Sequence, residues 1–125
     1  LNNIIFYPYT NKEGVRVLLN VSDAAYISFA NVPILSSGSP NKFFDGLAAG
    51  KLIITNFEGW VKKEIELADC GFSYAPTKPM ELVEKLAPYI NSSEKLRLAK
   101  RNARTLAEQK FSRSGLIQRW LGLFE

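Results

Sequence analysis

The sequence predicts an α/β domain: a parallel sheet with helices on both faces, closed by consecutive helices. Three observations carry this. Short apolar runs alternate with segments of helical spacing from Asn3 to Ala75. The runs lack polar alternation, so each strand is expected to be buried on both faces, joined to the next by a right-handed helical crossover. After Ala75 the apolar runs stop and three helical segments follow in succession.

Residues 3–7 (NIIFY) read as a first buried strand. Residues 11–21 place Val15, Leu18 and Leu19 at helical spacing, with Gly14 as a weak point. Residues 24–29 (AAYISF) are the second strand, followed by a long loop over 30–39. A helix is expected over 40–49, ended by Gly50, and a strand over 51–55. Residues 60–68 (WVKKEIELA) form the next helix, stopped near Gly71, and 72–75 the fourth strand. The closing helices are 79–87, 91–110 and 112–124; Pro88 separates the first two, and Asn91 with Glu94 suggests a capping box.

A chain of 125 residues supports one domain, residues 1–125, with a single core. With 46% hydrophobic and 22% charged residues it is an ordinary globular composition, which excludes intrinsic disorder. No apolar run approaches the roughly 18–20 residues that span a bilayer, and no signal-peptide pattern is present. Cys70 is the single cysteine, so no internal disulfide can form and a reducing, cytoplasmic setting is expected. The absence of histidine excludes His-based triads and ordinary zinc-ligand sets. Chemistry here must use carboxylates, lysine, hydroxyls or backbone amides.

The formal net charge is +4. The excess gathers in Lys95, Arg97, Lys100, Arg101, Arg104, Lys110, Arg113 and Arg119. These read either as the solvated face of the closing helices or as a patch for acidic lipid headgroups at the inner membrane face. No aromatic residues interleave with them as a nucleic-acid platform requires, so nucleic acid is not an expected partner.

The stretch SSGSPNKFFDGLAAGKLIIT, residues 36–55, carries the chemistry. Ser39 before Pro40 is a helix-start signal, the serine as cap and the proline as first helical residue. The preceding loop lies where a parallel sheet binds ligands, outside the carboxyl ends of its strands. Gly38 allows close backbone approach, and the first helical amides are unpaired donors in a positive dipole field, suited to a phosphate or diphosphate. Lys42 adds a full charge in the first turn. Asp45, three residues on, would repel a phosphate and so fits sugar hydroxyls beyond it. The same spacing also allows Lys42 and Asp45 simply to pair on the helix surface, worth a few tenths of a kcal/mol.

From Ser39 to Ile54, SPNKFFDGLAAGKLII resembles the signature of retaining GT-B glycosyltransferases (glycosyl transferases group 1), and in particular a capsule-type branch with Ser-Pro-x-Lys before the carboxylate. Residues 3–9 are similar to the family's strand and turn beside the base, 21–29 to its next strand, and 71–76 with the closing helices to its usual ending. The resemblance implies the C-terminal, Rossmann-like half of a two-lobed enzyme that transfers a sugar from a nucleotide-diphosphate sugar, in polysaccharide or glycoconjugate synthesis. It implies that Gly38, Ser39, Pro40, Asn41 and Lys42 face the diphosphate and that Asp45 holds the ribose hydroxyls. It implies no metal, because the helix dipole and basic side chains neutralise the leaving diphosphate.

The departures from the family pattern are specific. Ser37 stands where the family has a first glutamate, Asp45 where it has a second, and Asn56-Phe57-Glu58-Gly59-Trp60 where many members have Gly-Gly. Glu58, in a strand-end loop, reads equally as a donor contact or a plain loop carboxylate. No catalytic residue is identified. The family's front strands and its acceptor half do not match anything here, so the chain is expected to be a fragment of a larger enzyme and inactive alone. Two other readings stay open: a non-catalytic α/β ligand-binding or regulatory module, and a sugar-nucleotide epimerase of the same fold. Trp60 and Trp120 read as packing residues, and Tyr7 and Tyr9 as core aromatics or flanks of the base.

Overall fold

A computed structural model describes residues 2–124, apart from the side chain of Ser36. In chain order the elements are α1 (Lys12–Val21), β1 (Ala24–Ile27), a 3-10 turn (Pro33–Ser37), α2 (Asn41–Ala48), β2 (Leu52–Thr55), α3 (Trp60–Leu67), β3 (Gly71–Ser73), α4 (Met80–Asn91), α5 (Ser93–Lys110) and α6 (Arg113–Leu121). The three strands are parallel and lie in the order β1-β2-β3, with Ala24 opposite Leu52 and Ile53 opposite Gly71.

The all-apolar reading of β2 follows from its central place, since all four of its residues are buried. Successive side chains point to opposite faces. Ile53, with Ile27 of β1, meets Phe43 and Leu47 of α2 and Val61 and Ile65 of α3. Leu52 and Ile54, with Phe72 of β3, meet Tyr89 of α4 and Ala99 of α5. Both crossover helices therefore share one face, as crossovers of one hand between strands added in one direction require.

Helix α5 contributes to both layers, Ala99 to one and Ala103 to the other. It runs along the edge where the strands begin. Lys100 Nζ pairs with Asp23 at 2.9 Å, just before β1, and Asn102 Nδ2 donates to the Asp69 carbonyl at 3.1 Å, just before β3. Before β2, the buried Lys51 donates to the carbonyls of Ser22 (2.8 Å) and Asn20 (3.3 Å), closing the end of α1. Burial lowers the pKa of that ammonium, with the Lys100 charge adding to the effect and Asp23 opposing it. The starting edge of the sheet is thus tied by α5 and Lys51.

One polar atom in the core has no partner. Thr55 is fully buried, and its Oγ1 has no hydrogen-bond partner among the described residues. A hydroxyl buried unpaired costs about 1–3 kcal/mol by mutational measures, so Thr55→Val should raise stability by about 1 kcal/mol. A urea unfolding midpoint that falls in the variant would mean that Oγ1 is satisfied in solution.

Several sequence expectations are corrected. Residues 3–7 form no strand: the segment pairs with nothing in the sheet, and Ile5 and Phe6 are 88% and 91% exposed. An apolar run becomes a strand only when a neighbour accepts its ladder of hydrogen bonds, and none does here. Pro88 does not separate two helices but lies inside α4, which continues to Asn91. The proline forfeits only its own amide bond, while Tyr89, stacked on Phe72 at 5.9 Å, holds the following turn on the sheet. The cap of α5 is accordingly Ser92, whose side chain accepts from the Lys95 amide, and Asn91 belongs to α4.

At α2, Pro40 rather than Ser39 occupies the capping position, with extended ψ of 127°, and no side chain caps the helix. The loop over 30–39 contains the 3-10 turn, opened by Pro33. Gly50 does end α2, at φ 63°. After α3 the left-handed residue is Asp69 (φ 51°), and Gly71 lies within β3.

Candidate functional site

Helix α2 runs back from the carboxyl edge, so its first turn opens beside the ends of β1 and β2. That edge is held by side chains acting as backbone. Asn56, after β2, accepts from the Phe29 amide at 2.8 Å and donates to the Phe29 carbonyl at 3.0 Å, extending the β1-β2 ladder. Ser73 Oγ donates to the Phe57 carbonyl at 2.9 Å. The Trp60 indole donates to the Gly38 carbonyl at 3.0 Å, tying the loop before α3 to the loop before α2. Trp60 also packs edge-on to Phe43, beside Phe44 and Phe111, as its packing reading expected.

The expected site residues divide. Ser37 Oγ is used locally, donating to the Ile34 carbonyl at 2.8 Å. Gly38 has ordinary extended backbone (φ −65°, ψ 161°), and a Cβ there would sit 3.1 Å from the Leu35 carbonyl oxygen. Ser39 is exposed, and the Pro40 carbonyl accepts from the Phe43 amide at 3.0 Å. The amides of Asn41 and Lys42 have no acceptor among the described residues.

Lys42 and Asp45 are both exposed, and no ion pair joins them. The surface-pair arrangement that their spacing allowed does not form. Instead both line an open groove of about 280 Å³ between α1, β1 and α2, whose apolar wall includes Leu18, Leu19 and Ile27. Asp45 also borders an adjoining cavity of about 470 Å³, with Lys12 and Arg16 of α1 and Arg104 of α5.

Glu58 lines neither groove; it pairs with Lys62 at 2.9 Å, and that hydrogen bond raises the Lys62 pKa. Tyr7 and Tyr9 are exposed and do not line the grooves either. Trp120 is 59% exposed rather than packed.

The residues that sequence reasoning missed are Lys12, Arg16 and Arg104. Arg104 donates to the Ala48 carbonyl at the end of α2 and to Glu108. Nothing in the local sequence places α5 beside α1 and α2, so spacing alone carried no signal for this neighbour of Asp45. The groove holds the Lys42 ammonium and the Asp45 carboxylate, neither in an ion pair among the described residues, and the adjoining cavity adds Lys12 together with Arg16, paired with Glu13, and Arg104, paired with Glu108. Such a series can hold an anion next to a hydroxyl-bearing group. Among the described residues no cluster of three or more His, Cys, Asp or Glu is placed to hold a metal.

No family model, no curated protein and no solved structure matches this chain.

Proposed function

We propose that the chain is the donor-binding part of a glycosyltransferase, which holds a nucleotide-diphosphate sugar while a further, acceptor-binding half supplies the second substrate. The reading places the protein in the cytoplasm, in polysaccharide or glycoconjugate synthesis. One observation carries it: Lys42 and Asp45, three residues apart on α2, leave each other unpaired and line the same groove, which runs along β1 between α1 and α2. A lysine at the helix start suits the diphosphate, and a carboxylate one turn on suits the ribose hydroxyls.

The test is an NMR titration of the 125-residue chain with a nucleoside diphosphate and with its 2′,3′-dideoxy analogue. Binding is expected at about millimolar affinity, since few charged contacts are available. Lys42→Ala should weaken both nucleotides alike, because a charge-assisted contact worth about 1.5–3 kcal/mol is lost from each. Asp45→Asn should weaken the ribose form and leave the dideoxy form nearly unchanged, a cycle that isolates the hydroxyl contact. Equal losses for the two nucleotides in Asp45→Asn, or no shift at α2 residues, would remove the site from this groove.

A further inference from the structure

Helix α6 leaves its apolar face unpartnered. It rests chiefly against the end of α5, and none of its residues is buried. Leu116, Ile117, Trp120 and Leu121 recur at helical spacing, and backbone bonds from Leu123 to Trp120 and from Phe124 to Leu121 carry the turn onward. All six of these apolar side chains are exposed, with Leu123 at 79% and Phe124 at 74%. Trp120 and Phe124 meet edge to face at 4.9 Å, making an aromatic tip. The polar side carries Ser114, Gln118 and Arg119, with Arg113 at the start and no carboxylate between Phe111 and Phe124.

What separates this helix from α5 is its exposed apolar stripe: α5 also carries cations, of which Lys100, Arg104 and Lys110 are ion-paired with Asp23, Glu108 and Glu64, while Lys95, Arg97 and Arg101 join no ion pair among the described residues. Among the described residues Arg113 has no ion pair, and Arg119 donates only to the Lys110 carbonyl. We propose that α6 lies on an anionic lipid surface, with Ile117, Trp120, Leu121 and Phe124 entering the boundary between headgroups and acyl chains and Arg113 and Arg119 meeting lipid phosphates. An apolar stripe with aromatic residues, flanked by arginine and with no carboxylate from Ser112 to Phe124, fits that boundary. A second copy of the chain would cover the apolar stripe but bring no carboxylate of its α6 to Arg113 and Arg119. No helix among the described residues is long and apolar enough to cross a membrane, so the contact is a surface one.

Flotation with vesicles of phosphatidylcholine and phosphatidylglycerol tests this against vesicles of phosphatidylcholine alone. The chain should float with the anionic vesicles at low salt, be released as salt screens the attraction, and stay behind with the neutral ones. Arg113→Gln with Arg119→Gln should lower partition about 30-fold, at about 1 kcal/mol for each charge near the surface. Ile117→Glu with Trp120→Glu should abolish it. All four positions lie on an exposed helix, and circular dichroism checks that the fold is kept. Lipids brominated on the acyl chain should quench tryptophan emission in the parent chain and much less in Trp120→Phe, which locates the contact. Failure to float with anionic vesicles, or flotation indifferent to these variants, overturns the proposal. So does a dimer in sedimentation velocity that Ile117→Glu disperses, which would assign the face to a second copy.

Discussion

Gly71→Ala is expected to cost about 3 kcal/mol or more, at the upper end of what overpacking does. Gly71 pairs with Ile53 across the β2-β3 ladder, and a Cβ built on it would lie 1.9 Å from the Ile53 carbonyl oxygen and 2.7 Å from its carbon. The obstacle is backbone of the central strand, so no rotamer change relieves it. Either β3 shifts away or the bond from the Ile53 amide to the Cys70 carbonyl, 3.0 Å long, is broken. Because β3 has only three residues, it has little other pairing to hold it. Phe72 would then lose its place against Tyr89, and the loss would spread to the α4 layer. Against a total stability of about 5–15 kcal/mol, such a loss removes a large fraction of the folded margin.

Gly122→Ala is the control for the loss of a glycine as such. Its backbone is helical, and a Cβ there meets nothing nearer than the Gln118 carbonyl oxygen at 3.6 Å, so the change should stay within about 0.5 kcal/mol. Urea unfolding of both variants decides the matter: a Gly71→Ala loss no larger than that of Gly122→Ala would show that β3 does not sit against β2 in this register.

The second large effect concerns Cys70, which should be nearly inert to thiol reagents in the folded chain. It has no exposed surface, and burial first, then the charges of Asp69 and Glu64, push the thiol up from 9.0 to about 12. Only the thiolate reacts, so that shift alone lowers the reactive fraction at neutral pH about a thousandfold. Steric closure lowers it further, because reagent must wait for an opening of the core. Aromatic-disulfide labelling should therefore run at least about a thousandfold faster in concentrated guanidinium than in buffer. A native rate within about tenfold of the denatured rate would place Cys70 outside the core.

The same shift has a definite pH sign. The folded chain holds the Cys70 proton more tightly than the unfolded one, so this contribution is full below the ordinary value of 9.0 and is lost as pH rises toward about 12. Stability should fall across that alkaline window in the parent chain, and fall less in Cys70→Ala.

From residue 11 onward, the sequence alone was enough for the order of the helices and strands. Leu52 to Thr55 declared a strand buried on both faces because four adjacent residues without a charge or turn former have no solvent side to offer. Gly50 declared the end of α2, since φ 63° is open to glycine at no steric cost. It also singled out Lys42 and Asp45, because a proline-opened helix after a glycine loop is a local pattern, complete within ten residues or so.

What it could not decide is what depends on neighbours far along the chain. Residues 3–7 have the composition of a strand, but pairing requires another strand's edge, and no local property says whether one is in reach. Pro88 has a helix breaker's chemistry, yet Tyr89 keeps that turn on Phe72, seventeen residues earlier in sequence and adjacent only in the fold. Whether Lys42 and Asp45 pair or face a groove turned on where α1 packs. That Arg104 of α5 stands beside Asp45 followed from α5 crossing the starting edge of the sheet, where Asp23 and Asp69 each hold it. Periodicity reports which side of an element is apolar; only packing between distant segments determines what that side meets.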